Sequence, residues 1–346
     1  MAGPRGYNSY RGRTSPGKIL LTIVLIAVIL VAVGFLILQK YLVYDESGTP
    51  HLRLPDSSAE ETVPAKSAAS SSSAGGLNIT IDEPAAPAAL QIQQLTGDPS
   101  AWQAQVASFS AADQGGFCIT MKEPDGTVNY ASAVSGTRQG KQAAAVSAAL
   151  PALLGGDSWA VARISCLLDP VAAKADTEGM GLKNTGGYLF YDGNNENWLD
   201  PAKPAAQAYL ASLVKECAAL GFNEILLTDV SYPTAGKLNK IAYGTADRAA
   251  ALGNFLAAMR TALTDYPDVK LSVEIPAAVF TAPDEDAGLS LAQLVGHVDR
   301  ICAATTAWEA PTLAQALSAA GGADPMPEFL PELSGETLEG SYLLLA

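Results

Sequence analysis

The stretch GFNEILLTDVSYPT, Gly221 to Thr234, decides how this chain is read. An Ala/Leu-rich helical pattern leads into Gly221, and the apolar run Ile225-Leu226-Leu227 ends on Asp229. Pro233 then stops the strand, because proline lacks the N–H that a ladder needs. A helix feeding a short apolar strand is the unit from which parallel α/β architectures are built. In barrels of that class the C-terminal ends of the strands carry the chemistry. Asp229 is therefore either a catalytic acid or a polar residue that closes a strand.

The same unit recurs on both sides. Strand patterns are ALQIQQL (89–95), GFCITMK (116–122), WAVARISCLL (159–168), NEILLTDV (223–230), VKLSVEI (269–275), DRICAATTA (299–307), MPEFLPEL (326–333) and SYLLLA (341–346). Helical patterns such as KQAAAVSAALPALL, PAAQAYLASLVKECAALG and TADRAAALGNFLAAMRTAL lie between most of them. Alternation of this kind implies a parallel sheet with helices outside it. Eight strands in the 88–346 segment predict closure into a TIM-type (β/α)8 barrel. Only seven residues separate the last two strand patterns, so the final crossover is expected to be a turn or a very short helix.

Alternate residues of a barrel strand face the lumen and the helices. In VKLSVEI, Leu271, Val273 and Ile275 form the helix face, which sends Ser272 and Glu274 inward, Glu274 nearest the C-terminal mouth. In GFCITMK, Phe117, Ile119 and Met121 face the helices and Cys118, Thr120 and Lys122 the lumen. Arg163 and Ser165 share a face of AVARISC. NEILLTDV divides into Glu224/Leu226/Thr228 and Ile225/Leu227/Asp229 without a clear apolar side. A lumen holding Lys122, Arg163, Glu224 and Glu274 is either a working site or a set of buried charges that neutralise one another.

Upstream of the barrel the chain changes character. Ile19 to Leu38 contains no charge. Twenty helical residues at about 1.5 Å each span roughly 30 Å, the thickness of a bilayer's hydrocarbon core. A secretory signal would have a shorter apolar region of about 7–15 residues and a small-residue cleavage site. Arg5, Arg11, Arg13 and Lys18 precede the run, which points residues 1–18 to the cytoplasm and everything beyond the span outward. Residues 39–87 turn to Ser, Ala, Pro, Glu and Gly, the composition of a flexible, disordered stalk. The expected organisation is thus a cytoplasmic basic tail (1–18), a single transmembrane helix (19–38) in the plasma membrane, a stalk (39–87) and an extracytoplasmic barrel (88–346).

Composition narrows the chemistry. A formal net charge of −14 argues against nucleic acid as a partner. Cys118, Cys166, Cys217 and Cys302 lie too far apart for a metal knuckle, and each sits in an apolar segment as a small buried hydrophobe would. The two histidines, His51 and His297, leave little room for His-based triads or multi-His zinc sites. DEDAG at 284–288 lacks the spacing of a calcium loop. No metal or cofactor is expected, so any catalysis rests on carboxylates, Tyr or Lys.

Five segments together carry a resemblance: ITMKEPDGTVNYAS (119–132), VARISCLLDPVAAK (161–174), GGYLFYDGNNENWLDP (186–201), ECAALGFNEILLTDVSYPTAGK (216–237) and HVDRICAATTAW (297–308). In this order they resemble the largely uncharacterised bacterial family of glycoside hydrolase-like TIM-barrel domains. The resemblance implies a barrel acting on or binding carbohydrate. It also marks departures. The family's F-D-Y-[IV]-R-F-P strand, aligned on Pro233, puts Thr228 at the Asp, Asp229 at the aromatic, Ser231 at the Arg and Tyr232 at the Phe. The family's I-D-V-K-D strand puts Thr120 at its first Asp and Lys122 at its Lys. Two strand-borne acids are thus replaced by threonine, and a one-residue offset is expected to turn Asp229 to the other face.

Two functions compete. The favoured one is a membrane-anchored barrel, catalytically degenerate at Thr120 and Thr228, that binds carbohydrate or cell-wall glycan. The alternative is an active glycoside hydrolase using Glu274 with a second carboxylate such as Asp229, since glycosidic cleavage needs a pair. The candidate catalytic residues are Glu274 and Asp229. The candidate substrate-binding residues are Lys122, Arg163, Tyr191, Asp192, Asn195, Trp198 and Tyr232. The YDGNNENW loop has a plainer reading, because Asp-Gly-Asn-Asn is a turn signal by itself. The topology has a direct check: protease added to intact cells or spheroplasts should remove the barrel. Complete protection, with other outer-surface proteins digested, would overturn the orientation.

Overall fold

The computed structural model describes residues 42–44, 50–52, 89–109, 115–244 and 247–346. The basic tail and the 19–38 run lie outside the described residues, as does most of the 39–87 stretch. Within that stretch Leu42–Tyr44 and Pro50–Leu52 pair as antiparallel strands. No helix among the described residues is long and apolar enough to cross a membrane.

In the Asp82–Ala346 unit eight parallel strands close on themselves. They are β1 Gln91–Gln94, β2 Gly115–Lys122, β3 Trp159–Ser165, β4 Glu224–Thr228, β5 Lys270–Glu274, β6 Arg300–Ala304, β7 Glu328–Ser334 and β8 Tyr342–Leu345. Each pairs with the next in order, and β8 pairs back to β1, which closes the barrel. Helices α1 Trp102–Phe109, α2 Ala143–Leu154, α3 Pro170–Ala175, α4 Pro204–Leu220, α5 Arg248–Ala262, α6 Leu291–Leu294 and α7 Ala310–Ala320 occupy the crossovers. This is the TIM-type barrel expected from the alternation. Residues 335–341, between β7 and β8, contain no helix.

The helix before the deciding strand shows how local sequence fixes its position. Pro204 begins α4, where a missing N–H costs nothing. Gly221 ends it at φ 105°, donating its N–H to Ala218 and Cys217 carbonyls. That left-handed turn suits glycine and delivers the chain directly into β4.

Parity follows the pleat. Phe117, Ile119, Met121, Ile225, Leu227, Leu271, Val273 and Ile275 belong to the layer between sheet and helices. Ile92, Cys118, Val161, Leu226, Cys302, Leu330 and Leu343 form a separate cluster inside the barrel. All five residues of β4 are buried, which is why hydropathy alone leaves its two faces indistinct. The four cysteines are free and buried. The inner cluster fills the barrel's waist, so truncating it should be costly: Leu226→Ala is expected to lose about 2–5 kcal/mol. A loss of unfolding free energy below about 1 kcal/mol would show that the waist is loosely packed.

Candidate active site at the barrel mouth

The lumen has three levels. At its N-terminal end the buried Glu224 carboxylate accepts from the Ser272 hydroxyl, the Arg300 guanidinium and the Trp159 indole, the last at 2.8 Å. Arg300 also pairs with Glu328 at 2.7 Å. The apolar waist comes next. Above it, a cavity of about 620 Å³ opens at the C-terminal mouth, lined among others by Thr120, Lys122, Arg163, Ser165, Thr228, Asp229 and Glu274. The expected polar lumen is therefore split. Glu224 belongs to the closed end and has no part in the cavity, because it stands four residues before the strand's end.

Arg163 organises the upper level. Its Nη1 lies 3.2 and 3.3 Å from the two oxygens of Glu332, and its Nη2 donates to Glu274. Glu332 is fully buried, whereas Glu274 is partly open to the cavity. Burial pushes the Glu332 carboxyl up to about 7 against the pull of Arg163, and the Glu274 charge adds to the rise. Burial also raises Glu274, opposed by Arg163 and reinforced by Asp229. One guanidinium cannot neutralise two carboxylates, so a proton is retained between them into the neutral range.

Asp229 departs from the expected parity. β4 ends at Thr228, and Asp229 adopts φ 53°, the left-handed region. Alternation of faces holds only while the backbone stays extended. Here the turn swings the carboxylate back over the mouth. Its Oδ2 accepts from the Ser165 hydroxyl at 2.6 Å and from Thr228 at 3.3 Å. Among the described residues Oδ1 has no protein donor. The offset in sequence thus does not remove Asp229 from the cavity.

The other candidates divide. Lys122 lines the cavity, yet its Nζ donates to the Ser165 carbonyl at 2.8 Å and pairs with buried Asp169 at 3.0 Å. A register shift between Thr120 and Lys122 directs it there. Asp192 closes a turn: Oδ1 accepts from Asn194 and Glu196 N–H, and Oδ2 from the Trp198 indole at 3.0 Å. Trp198 is buried outside the barrel. Asn195 is exposed at the turn, at φ 65°. Tyr232 is buried edge-on against Tyr243 with ring centroids 5.3 Å apart. Tyr191 lines a different groove. None of these five reaches the mouth cavity, so the turn reading of YDGNNENW prevails. Glu332 was not among the expected site residues. The alternation in EFLPEL, with Glu328, Leu330 and Glu332 on one face, is the signal that points to it.

The Arg163 arrangement has a pH signature. Glu332 holds its proton more tightly in the fold than at its ordinary value of 4.5. The associated stability is complete below about pH 4.5 and is lost as pH rises through about 7. Glu332→Gln, neutral throughout, should flatten that part of the curve of urea midpoint against pH. An unchanged slope would mean that Glu332 does not carry the proton.

No curated protein matches the chain. Among solved structures, a hypothetical protein from Ruminiclostridium thermocellum ATCC 27405 is similar at 24% identity, covering 54% of this chain and 96% of that one, with a TM-score of 0.45. The glycoside hydrolase domain of PelA from Pseudomonas aeruginosa is similar at 16% identity, covering 72% and 85%, with a TM-score of 0.40. An alpha-galactosidase from Thermus thermophilus is similar at 12% identity, covering 70% and 46%, with a TM-score of 0.43. The family model "Putative glycosyl hydrolase domain" matches residues 93–305, and through that match the chain, with its closed barrel and acidic mouth, belongs to this glycosyl hydrolase-like family.

Proposed function

We propose that the barrel is an active glycoside hydrolase in which Glu274 is the general acid and Asp229 the second carboxylate. It would be held outside the plasma membrane by the 19–38 span and the stalk, with cell-wall glycan as its substrate class. The observation that carries this reading is that Asp229 and Glu274, at the ends of the neighbouring strands β4 and β5, line one cavity at the C-terminal mouth. Neighbouring strands lie about 4.8 Å apart. Hydrolysis requires the two carboxylates to stand about 5–5.5 Å apart for retention or about 6.5–9.5 Å apart for inversion, and the proposal requires that spacing of Asp229 and Glu274.

The chemistry assigns each group a task. Glu274, its carboxyl raised by burial and by Asp229, would protonate the departing glycosidic oxygen. Arg163 would fix its orientation and take up the charge left behind. Asp229, tied through Oδ2, would present Oδ1 to the anomeric carbon or to a water. A second reading, a binding barrel without turnover, draws on Thr120 and Thr228. Both occupy acid positions of the family pattern and both line the cavity.

A general acid must be protonated, so kcat/KM is expected to fall as pH rises through the elevated Glu274 value, and Glu274→Gln should abolish that limb. Asp229→Asn keeps a side chain that tolerates the left-handed backbone, so it tests chemistry more than folding. Each variant should lower turnover of aryl glycosides or cell-wall glycans by about 100- to 10,000-fold. Glycan binding without turnover by the parent would select the binding barrel. Robust turnover retained in Asp229→Asn would remove Asp229 from the mechanism.

A further inference from the structure

A second concavity, of about 590 Å³, lies between the 184–192 and 236–240 loops. We propose that it is a subsite for a negatively charged glycan chain, with Lys237 and Lys240 holding carboxylate or phosphate groups and Tyr191 covering a sugar face. The inference rests on the carbohydrate reading above for its ligand class and adds the charge of the chain.

The groove is held by backbone. Gly193 N–H donates to the Ala235 carbonyl at 3.1 Å, and Thr185 N–H to the Lys240 carbonyl at 2.8 Å. Gly236, at φ 101°, packs so closely that a Cβ would stand 2.7 Å from the Gly193 nitrogen. Two loops locked in this way give a preformed floor, which lowers the ordering cost of binding.

Its side chains are unbalanced in charge. Lys237 and Lys240 line it, both are exposed, and among the described residues neither ammonium has a partner. The carboxylate that lines the groove, Asp192, is turned inward on Asn194, Glu196 and Trp198. Tyr191 is 49% exposed, and Tyr188, 76% exposed, lies beside Gly186 on the rim. Exposed rings beside free cations suit a polymer with apolar ring faces and anionic substituents. The net charge of −14 would repel such a polymer at distance, but that field is screened beyond about 8 Å at physiological salt while contact pairs persist. The loop after β4 contributes Ser231 to the mouth cavity and Gly236 and Lys237 to the groove.

The test uses the full-length protein in a neutral detergent, at about 150 mM salt, with three probes. These are polygalacturonate, poly(glycerol phosphate) and neutral cellohexaose. A polyanionic chain should bind about tenfold or more tighter than the neutral one. Binding of both polyanions shows that charge is recognised, and preference for polygalacturonate shows that the sugar ring is recognised with it. Lys237→Gln with Lys240→Gln should weaken polyanion binding about tenfold or more, the double Arg variant should restore it, and Tyr191→Ala should weaken polygalacturonate selectively. Equal affinity for neutral and anionic chains, or unchanged binding in the double Gln variant, would overturn the proposal. So would poly(glycerol phosphate) binding alone with no effect of Tyr191→Ala. An aryl glycoside reaches only the mouth cavity, and its turnover is measured on the same preparation. Turnover without polyanion preference leaves the hydrolase standing and removes the groove. Lysine-dependent polyanion binding without turnover does the reverse.

Discussion

The guanidinium of Arg163 is the constraint around which the upper barrel is arranged. A cation on the inner face of β3 is costly to bury and must be paired. Its partners come from β5 and β7, Glu274 and Glu332, so the three side chains come from alternate strands, as the layers of a barrel do. None of these pairs is local in sequence. They form only when the sheet has closed, so the ion network and the barrel require each other. Two carboxylates on one cation leave one negative charge too many. The burial that makes this excess expensive is the same burial that raises both acids.

The waist separates this network from the one at the closed end. Leu226, Leu330, Leu343 and their neighbours keep Glu224 and Arg300 apart from Glu274 and Arg163. The lower set is saturated: Glu224 receives a hydroxyl, a guanidinium and an indole, which reads as stability. The upper set keeps Glu274 partly open to solvent and, among the described residues, one Asp229 oxygen without a protein donor. Chemistry, where a barrel has any, belongs at that end.

How much of this the sequence discloses depends on the contrast between two faces of each element. KLSVEI has an unbroken apolar side, so Glu274 can be placed inward from the letters alone. EILLT is buried on both sides, and parity there becomes visible only from the packing of Leu226 against the inner cluster. Lys122 lines the mouth cavity, but its ion pair with Asp169 spans 47 positions and follows a register shift in the strand. The DGNNENW stretch carries turn chemistry and sugar-binding residue types in the same letters. The carboxylate of Asp192 is consumed by the turn, and only Tyr191 keeps an exposed ring. Glu332 follows from alternation in EFLPEL once β7 is taken as a barrel strand. Its importance does not, because that comes from Arg163 across the lumen.

Asp229 shows where period-2 reasoning ends. Parity assigns a face to every residue of a strand and none to the residue after it. Thr228 is the last extended residue, and Asp229 turns left-handed, a conformation that costs a non-glycine residue about 1–3 kcal/mol unless its surroundings hold it. The Ser165 and Thr228 hydroxyls hold it through one oxygen. Glycine would close the strand at lower backbone cost, and asparagine would tolerate the turn as well. What aspartate adds is a carboxylate that lines the mouth cavity, one residue beyond Thr228. On the proposed reading the carboxylate works from just beyond the strand, and the left-handed turn is what brings it to the cavity.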